Sequence, residues 1–282
     1  MRKKIGEGTY GCVYYPPLKC KQQCNEDKCN VGVSKLMKSN AAYDELNMFN
    51  LVSRLDQSYV VTKPILCEVS DEEDISDCAI EWETGDAAAL LIYDHLGVDM
   101  IAYLKSFDID DLAKFLLNFT IIFYALIDME KKGIIHQDIK PENIMVTEDL
   151  SMKLIDYGLM MDVKAPLTIP AATQYMFWPN DRQFLEADID DEAKMEIRKK
   201  LDTYSLGITL GEILSHFVGG STIDTYLYND LAKLSSEMTS QNSFERLSPY
   251  EAFAEYACIM NRYFPKNDVI KKYRMKIRKL LS

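Results

Sequence analysis

The stretch His136–Val146, HQDIKPENIMV, decides the reading of this 282-residue chain. It sets a carboxylate (Asp138), an ammonium (Lys140) and a carboxamide (Asn143) within six residues, ahead of a short apolar run. Taken alone, His, Asp and Asn also populate turns and helix caps, where their short side chains bond the local backbone. Their weight comes from the segments before and after them.

Upstream, Ile5–Val13 reads IGEGTYGCV, the pattern G-x-G-x-x-G-x-V with Gly6, Gly8 and Gly11. Glycine removes the Cβ that keeps backbone N–H groups away from phosphate oxygens, and the β-rich residues Cys12 to Tyr15 predict a hairpin. No helical pattern follows, which argues against a dinucleotide fingerprint. Val31–Leu36, VGVSKL, reads as a strand carrying Lys35, and Ala42–Leu55 places Leu46, Phe49, Val52 and Leu55 near helical spacing. Glu45, rather than Asp44, is the carboxylate of that helix taken to face Lys35. Downstream, Met152–Gly158 reads MKLIDYG; the apolar runs IMV and KLI flank Thr147–Ser151 and predict a hairpin that returns Asp156 to the neighbourhood of Asn143.

In this order the segments resemble the signature of eukaryotic-type protein kinases, over residues 5 to about 255. The resemblance implies one α+β domain with a bilobal fold: a small β-rich lobe over residues 1–95 and a larger helical lobe over 96–282, with a hinge near residue 95. It implies ATP and Mg2+ (or Mn2+) as cofactors. Nucleotide contacts then fall on Ile5, Gly6, Glu7, Gly8, Thr9, Tyr10, Gly11, Cys12 and Val13, and on Lys35 held by Glu45. Tyr93 takes the gatekeeper position at the end of AALLIYDHL, and the backbone from Asp94 to Leu96 is offered to adenine. Asp138 is the acceptor of the substrate proton, Lys140 meets the transferring phosphoryl group, and Asn143 and Asp156 ligate metal. Tyr157 stands where the family has phenylalanine.

Other segments extend the resemblance. Leu201–Gly207, LDTYSLG, matches the start of the central helix of the large lobe, where Asp202 bonds the catalytic-loop backbone, a role compatible with an N-cap. Arg246–Phe253, RLSPYEAF, carries the arginine that pairs with the glutamate of A-P-E. TQYMFWPND stands in place of that motif, leaving Asp181 or Glu186 as partner, and Thr173 is the residue expected to touch Asp138 and Lys140. Gln137 replaces the arginine of H-R-D, so ordering by an activation-loop phosphate is not expected.

The lysine of KPEN resembles serine/threonine rather than tyrosine kinases. LGVDMIAYL is similar to a segment of casein kinase I and vaccinia-related kinases. Pro16-Pro17, the cysteine insertion and the early start of the glycine loop resemble kinases of large nucleocytoplasmic DNA viruses. The activity implied is ATP-dependent phosphorylation of protein hydroxyls; the alternative is a pseudokinase scaffold, against which Lys35, Asp138 and Asp156 are all retained. A small-molecule kinase is disfavoured by K-P-E and D-x-x-S-x-G.

Composition bounds the partners. A 48% hydrophobic content suits a sizeable core, and a net charge of −12 disfavours nucleic acid while leaving basic protein substrates plausible. Leu112–Met129 is apolar but includes Lys114, Asn118, Thr120 and Asp128, so it is read as a buried helix and no membrane anchor is expected. Met1-Arg2-Lys3-Lys4 has no secretory character, which predicts an intracellular setting: host cytoplasm, and virion, if viral. The basic tail Lys266–Lys279 is read as a solvated helical face, and the acidic runs Asp71–Asp77 and Asp188–Glu196 as exposed loops. Seven cysteines are expected as reduced thiols. Cys20, Cys24 and Cys29 could offer thiolates to zinc, but without a paired C-x-x-C they are taken as free loop cysteines.

Overall fold

Lys3–Gly8 (β1) and Gly11–Tyr15 (β2) pair as an antiparallel hairpin in which Gly8 stands opposite Gly11. The computed structural model describes residues 3–8, 11–22, 24, 26–217 and 223–282. The expected nucleotide contacts Thr9 and Tyr10, and Met1-Arg2 of the leader reading, lie outside the described residues. The chain divides into two compact units: Met1–Ser53 with Val61–Leu96, and Arg54–Val60 with Gly97–Ser282.

In the first unit a short helix, Lys28–Val31 (α1), precedes Val33–Lys38 (β3), so Val31 belongs to a helical turn and not to the strand. Ser39–Val52 (α2), Ile65–Glu68 (β4) and Ala88–Tyr93 (β5) complete the unit. The five strands form an antiparallel sheet in the order β1-β2-β3-β5-β4. Side chains alternate across it. Cys12, Tyr14, Leu36, Leu90 and Ile92 join Leu18 and Cys78 in one core, while Met37, Ala89 and Leu91 pack with Ala42 of α2 in another. Gly11 is obligatory for this packing, since a Cβ there would lie 2.5 Å from the carbonyl oxygen of Leu36.

The cysteines overturn their expected state. Cys12–Cys78, Cys20–Cys67 and Cys24–Cys29 are disulfides, and Cys258, exposed, is the free one. Two of these pairs join residues 66 and 47 positions apart, which local spacing cannot reveal. A bridge between Cys20 and Val69 brings the insertion alongside the chain that leaves β4. No group of three or more His, Cys, Asp or Glu side chains is gathered to hold a metal ion among the described residues.

The second unit runs Val98–Asp99 (β6), Met100–Lys105 (α3), Leu112–Lys131 (α4), Ile134–Ile135 (β7), Ile144–Val146 (β8), Met152–Leu154 (β9) and Met161–Asp162 (β10). Then come Asp191–Lys199 (α5), Leu201–His216 (α6), Thr225–Met238 (α7), Pro249–Tyr263 (α8) and Val269–Leu281 (α9). Its short sheets are β6-β8-β9 and β10-β7. Helix α4 is long and apolar enough to cross a membrane, yet its side chains from Phe115 to Met129 are mostly buried within the unit. Phe123 stacks on Tyr256 of α8 at 4.2 Å, and the Tyr256 hydroxyl donates to the carbonyl of Leu116 at 2.6 Å.

The acidic run Asp188–Glu196 is a correction, because six of its nine residues are helix. Asp190 caps α5 by accepting from the N–H groups of Glu192 and Ala193, and acids in a first turn favour a helix start. Helix α9 buries Ile270, Tyr273 and Ile277 and leaves Lys271, Lys272, Arg274, Arg278 and Lys279 exposed.

Candidate active site

The loop after β7 is held by one buried carboxylate. Asp202, in the first turn of α6, accepts from the backbone N–H of His136 at 2.7 Å and of Gln137 at 2.8 Å. Burial pushes the Asp202 carboxyl above its ordinary value, and these contacts oppose that rise. Gln137 takes a left-handed φ of 67°, which a non-glycine residue adopts only when its surroundings impose it. They do so here: Trp178 Nε1 donates to the Gln137 carbonyl at 2.7 Å, and Gln137 Nε2 donates to the Leu159 carbonyl at 2.7 Å.

This turn presents Asp138 to three donors. Oδ2 accepts from Lys140 Nζ at 2.8 Å and from Asn143 Nδ2 at 2.7 Å, while Oδ1 accepts from the Tyr175 hydroxyl at 2.8 Å. Burial alone would lower the Lys140 ammonium, but the hydrogen bond and charge of Asp138 outweigh it and carry it above its ordinary value. Tyr175, not Thr173, makes the contacts expected of the threonine; Thr173 is exposed and its backbone N–H bonds the Pro170 carbonyl. A phenol reaches several ångströms further than a threonine hydroxyl, so a residue two places along the chain can fill the role. The tyrosine in TQYMFWPND was the available signal.

Asn143 and Asp156 flank one end of the β8–β9 ladder, where Ile144 faces Leu154 and the Ile155 N–H donates to the Asn143 carbonyl at 3.0 Å. Asp156 is exposed, has a left-handed φ of 59°, and takes a 3.3 Å contact from the Gly158 N–H. The Asn143 amino group donates to both the backbone and the side chain of Asp138, which leaves its oxygen for another partner. One carboxylate and one carboxamide oxygen suit a hard divalent cation such as Mg2+ or Mn2+. Tyr157 accommodates its extra hydroxyl by donating to the Leu154 carbonyl at 2.7 Å.

In the first unit Lys35 Nζ meets Glu45 Oε2 at 2.5 Å, and the Tyr93 hydroxyl donates to Glu45 Oε1 at 2.6 Å. The ten-residue interval between Lys35 and Glu45 suffices because β3 runs directly into α2. On the sheet Lys35 lies between Val13 of β2 and Leu91 of β5. Tyr93, assigned from sequence only as gatekeeper, is therefore also a holder of the glutamate. Among the remaining expected nucleotide contacts, Ile5, Gly6, Glu7 and Gly8 lie on β1, and Gly11, Cys12 and Val13 on β2. Glu7 is engaged by Lys4 at 2.8 Å and the Ala79 N–H at 3.0 Å, and Asp94 accepts from Thr62 at 2.5 Å. Leu96 closes the unit.

Of the two candidate partners of Arg246, the structure selects Asp181. The guanidinium meets its Oδ2 at 2.9 Å with both side chains buried, donates to the Ser240 carbonyl at 2.8 Å and lies over the Tyr204 ring. Burial lowers the Arg246 pKa, and the charge of Asp181 opposes the shift.

Residues 1–248 match the family described as the protein kinase domain. The chain belongs to the protein kinase family. Similar curated proteins include a cyclin-dependent kinase F-4 of Oryza sativa subsp. japonica, 27% identical over 80% of this kinase chain and 44% of its own length. An extracellular signal-regulated kinase 2 of Dictyostelium discoideum is 24% identical over 79% of this chain and 57% of its own. A stress-activated protein kinase JNK of Suberites domuncula is 23% identical over 74% and 52%. The kinase chain thus spans about half the length of these relatives.

Proposed function

We propose that this chain is a serine/threonine protein kinase, moving the γ-phosphoryl group of ATP to hydroxyls of protein substrates. The observation that carries the reading is the Asp138 carboxylate, held by Lys140 and Asn143 on a loop that Asp202 and Trp178 keep in a strained turn. These contacts fix the orientation of the proton acceptor, with the Tyr175 hydroxyl standing at its Oδ1, and positioning is most of what phosphoryl transfer asks of a protein. Lys140 stands beside it to meet charge on the transferring group. Lys35, kept in place by Glu45 and Tyr93, offers its ammonium to the α and β phosphates. The divalent ion taken up by Asn143 and Asp156 would supply neutralisation of phosphate charge.

The lysine two residues after Asp138 supports serine or threonine over tyrosine as exogenous acceptor. A net charge of −12 favours basic substrates through long-range attraction. Pro16-Pro17 and the cysteine-rich insertion support an origin among large nucleocytoplasmic DNA viruses. An intracellular setting is part of this reading, and the three disulfides add to it a requirement for thiol oxidation.

Radiolabelled phosphate transfer to a mixture of basic proteins tests the proposal. Wild type should transfer in the presence of Mg2+, and Asp138→Ala and Lys35→Met should not, with circular dichroism unchanged. Nucleotide binding without transfer above the Asp138→Ala background would instead favour a scaffold.

A further inference from the structure

Both ends of one loop converge on a single guanidinium. Arg182, on the helical turn Asn180–Glu186, is 1% exposed and reaches back along the segment that precedes it. Its Nη1 donates to the carbonyls of Pro170 at 2.8 Å and Ala171 at 3.2 Å, and its Nη2 to that of Ile169 at 3.0 Å. The guanidinium carbon also lies 3.9 Å from the centroid of the Trp178 ring. Residues 172–177, between these two holds, include Tyr175 with its hydroxyl on Asp138. Trp178 in turn donates to the Gln137 carbonyl at 2.7 Å and so braces the left-handed turn that precedes Asp138.

A buried cation is costly unless it is compensated, and here backbone carbonyls and an aromatic face compensate it. Burial lowers the Arg182 pKa, and the charge of Glu186 opposes that fall. The turn itself is anchored, because the neighbouring Asp181 is tied to Arg246 at 2.9 Å. A planar fork with several donors can bond successive carbonyls and lie over a ring at once, whereas a lysine has neither the plane nor the fork. With Gln137 in place of an arginine, the catalytic loop brings no cation of its own at that position to order the segment. Arg182 orders it from the segment's side.

We propose that Arg182 is a positioning residue for phosphoryl transfer, setting Asp138 through Trp178 and keeping the segment ordered without a phosphate on it. The proposal rests on the kinase reading above. The contacts run in series from the carbonyls of residues 169–171 to Arg182, to the Trp178 ring, to the Gln137 carbonyl and so to Asp138. A change at Arg182 reaches the reaction as a displacement of the base, and a misplacement of about 1 Å can cost about 10²-fold in rate. Lys35, Asn143 and Asp156 lie off this line, so the loss falls on kcat and not on KM for ATP.

The test uses the full chain after phosphatase treatment, with Mg2+, ATP and a basic protein substrate. Wild type should keep its kcat through the treatment. Arg182→Lys should lower kcat about 10²-fold and leave KM for ATP within about twofold. Trp178→Phe, which keeps an aromatic ring but removes the donor to Gln137, should lower kcat in the same way, and it decides the matter if Arg182→Lys fails to fold. The double variant should be no slower than the slower single one, because both changes act along one line of contacts. A purely structural arginine would lower the unfolding midpoint and leave kcat per ATP-binding site unchanged, which would overturn the inference. Losses that multiply in the double variant, or wild-type transfer abolished by the phosphatase, would also overturn it and leave the kinase reading standing. ATP binding by wild type with no transfer before or after the treatment would overturn both.

Discussion

Tyr93 and Glu45 share a 2.6 Å hydrogen bond, phenol to Oε1, while Lys35 holds the other oxygen of the same carboxylate. The glutamate is thereby fixed from two adjacent strands, β3 and β5. A hydrogen bond to a charged group contributes about 1.5–3 kcal/mol. Tyr93→Phe keeps the ring against Phe49, 6.5 Å away, and removes only the donor. ATP affinity should fall roughly tenfold, the equivalent of about 1.4 kcal/mol, by loosening the glutamate that aims Lys35. Unchanged ATP affinity in calorimetric titration would show that the lysine pair alone sets the position.

The Cys12–Cys78 disulfide ties the second strand of the glycine hairpin to a segment 66 residues away. Cross-links of this span constrain the unfolded chain and typically contribute about 2–4 kcal/mol. The double variant Cys12→Ser, Cys78→Ser should lower the stability of the first unit by that order in urea titration. Adding dithiothreitol to wild type should lower it at least as far, because the other two pairs open too. Equal unfolding midpoints with and without reductant would rule out a stabilising role.

Much of this fold is written in local patterns. The glycine hairpin, the strand carrying Lys35, the Asn143–Asp156 hairpin and helix α4 each follow from spacing within about a dozen residues, and such signals survive without knowledge of the tertiary structure. What local pattern could not carry was pairing across long stretches. The disulfides join residues up to 66 apart, and the choice of Asp181 over Glu186 depends on a buried guanidinium 65 residues downstream. Tyr175 for Thr173 depended on side-chain reach. Asp190 was legible as a cap but was absorbed into an acidic run, because the charges of α5 outweigh its few apolar residues.

Arg246 and Asp181 form a buried pair. Removing one partner of such a pair leaves an uncompensated charge and costs about 3–5 kcal/mol, whereas its net contribution relative to an apolar pair is small. Asp181→Ala and Arg246→Met should each destabilise the second unit by that order. The double variant should recover part of the loss. Additive losses in a double-mutant cycle on urea midpoints would show that the two charges do not compensate each other.

The last contact sets an acid limit on the docking of α9. Asp56 accepts from Lys276 at 2.8 Å, from the Tyr124 hydroxyl at 2.9 Å and from the Ser58 N–H at 2.8 Å. Burial would raise its carboxyl, but these donors outweigh burial and hold it well below the usual carboxylate range. With the folded pKa depressed, the unfolded chain binds the proton more readily, so stability rises with pH across that window. The contribution is complete above the ordinary aspartate value of about 3.9 and fades as pH falls below it. The pair is partly exposed, so Asp56→Asn should cost only about 1 kcal/mol at pH 7. Carboxylates common to both proteins cancel in the difference between wild type and variant, which should therefore narrow between pH 4 and pH 2. A difference that stays constant down to pH 2 would sink the assignment of this depressed carboxyl to the α9 contact.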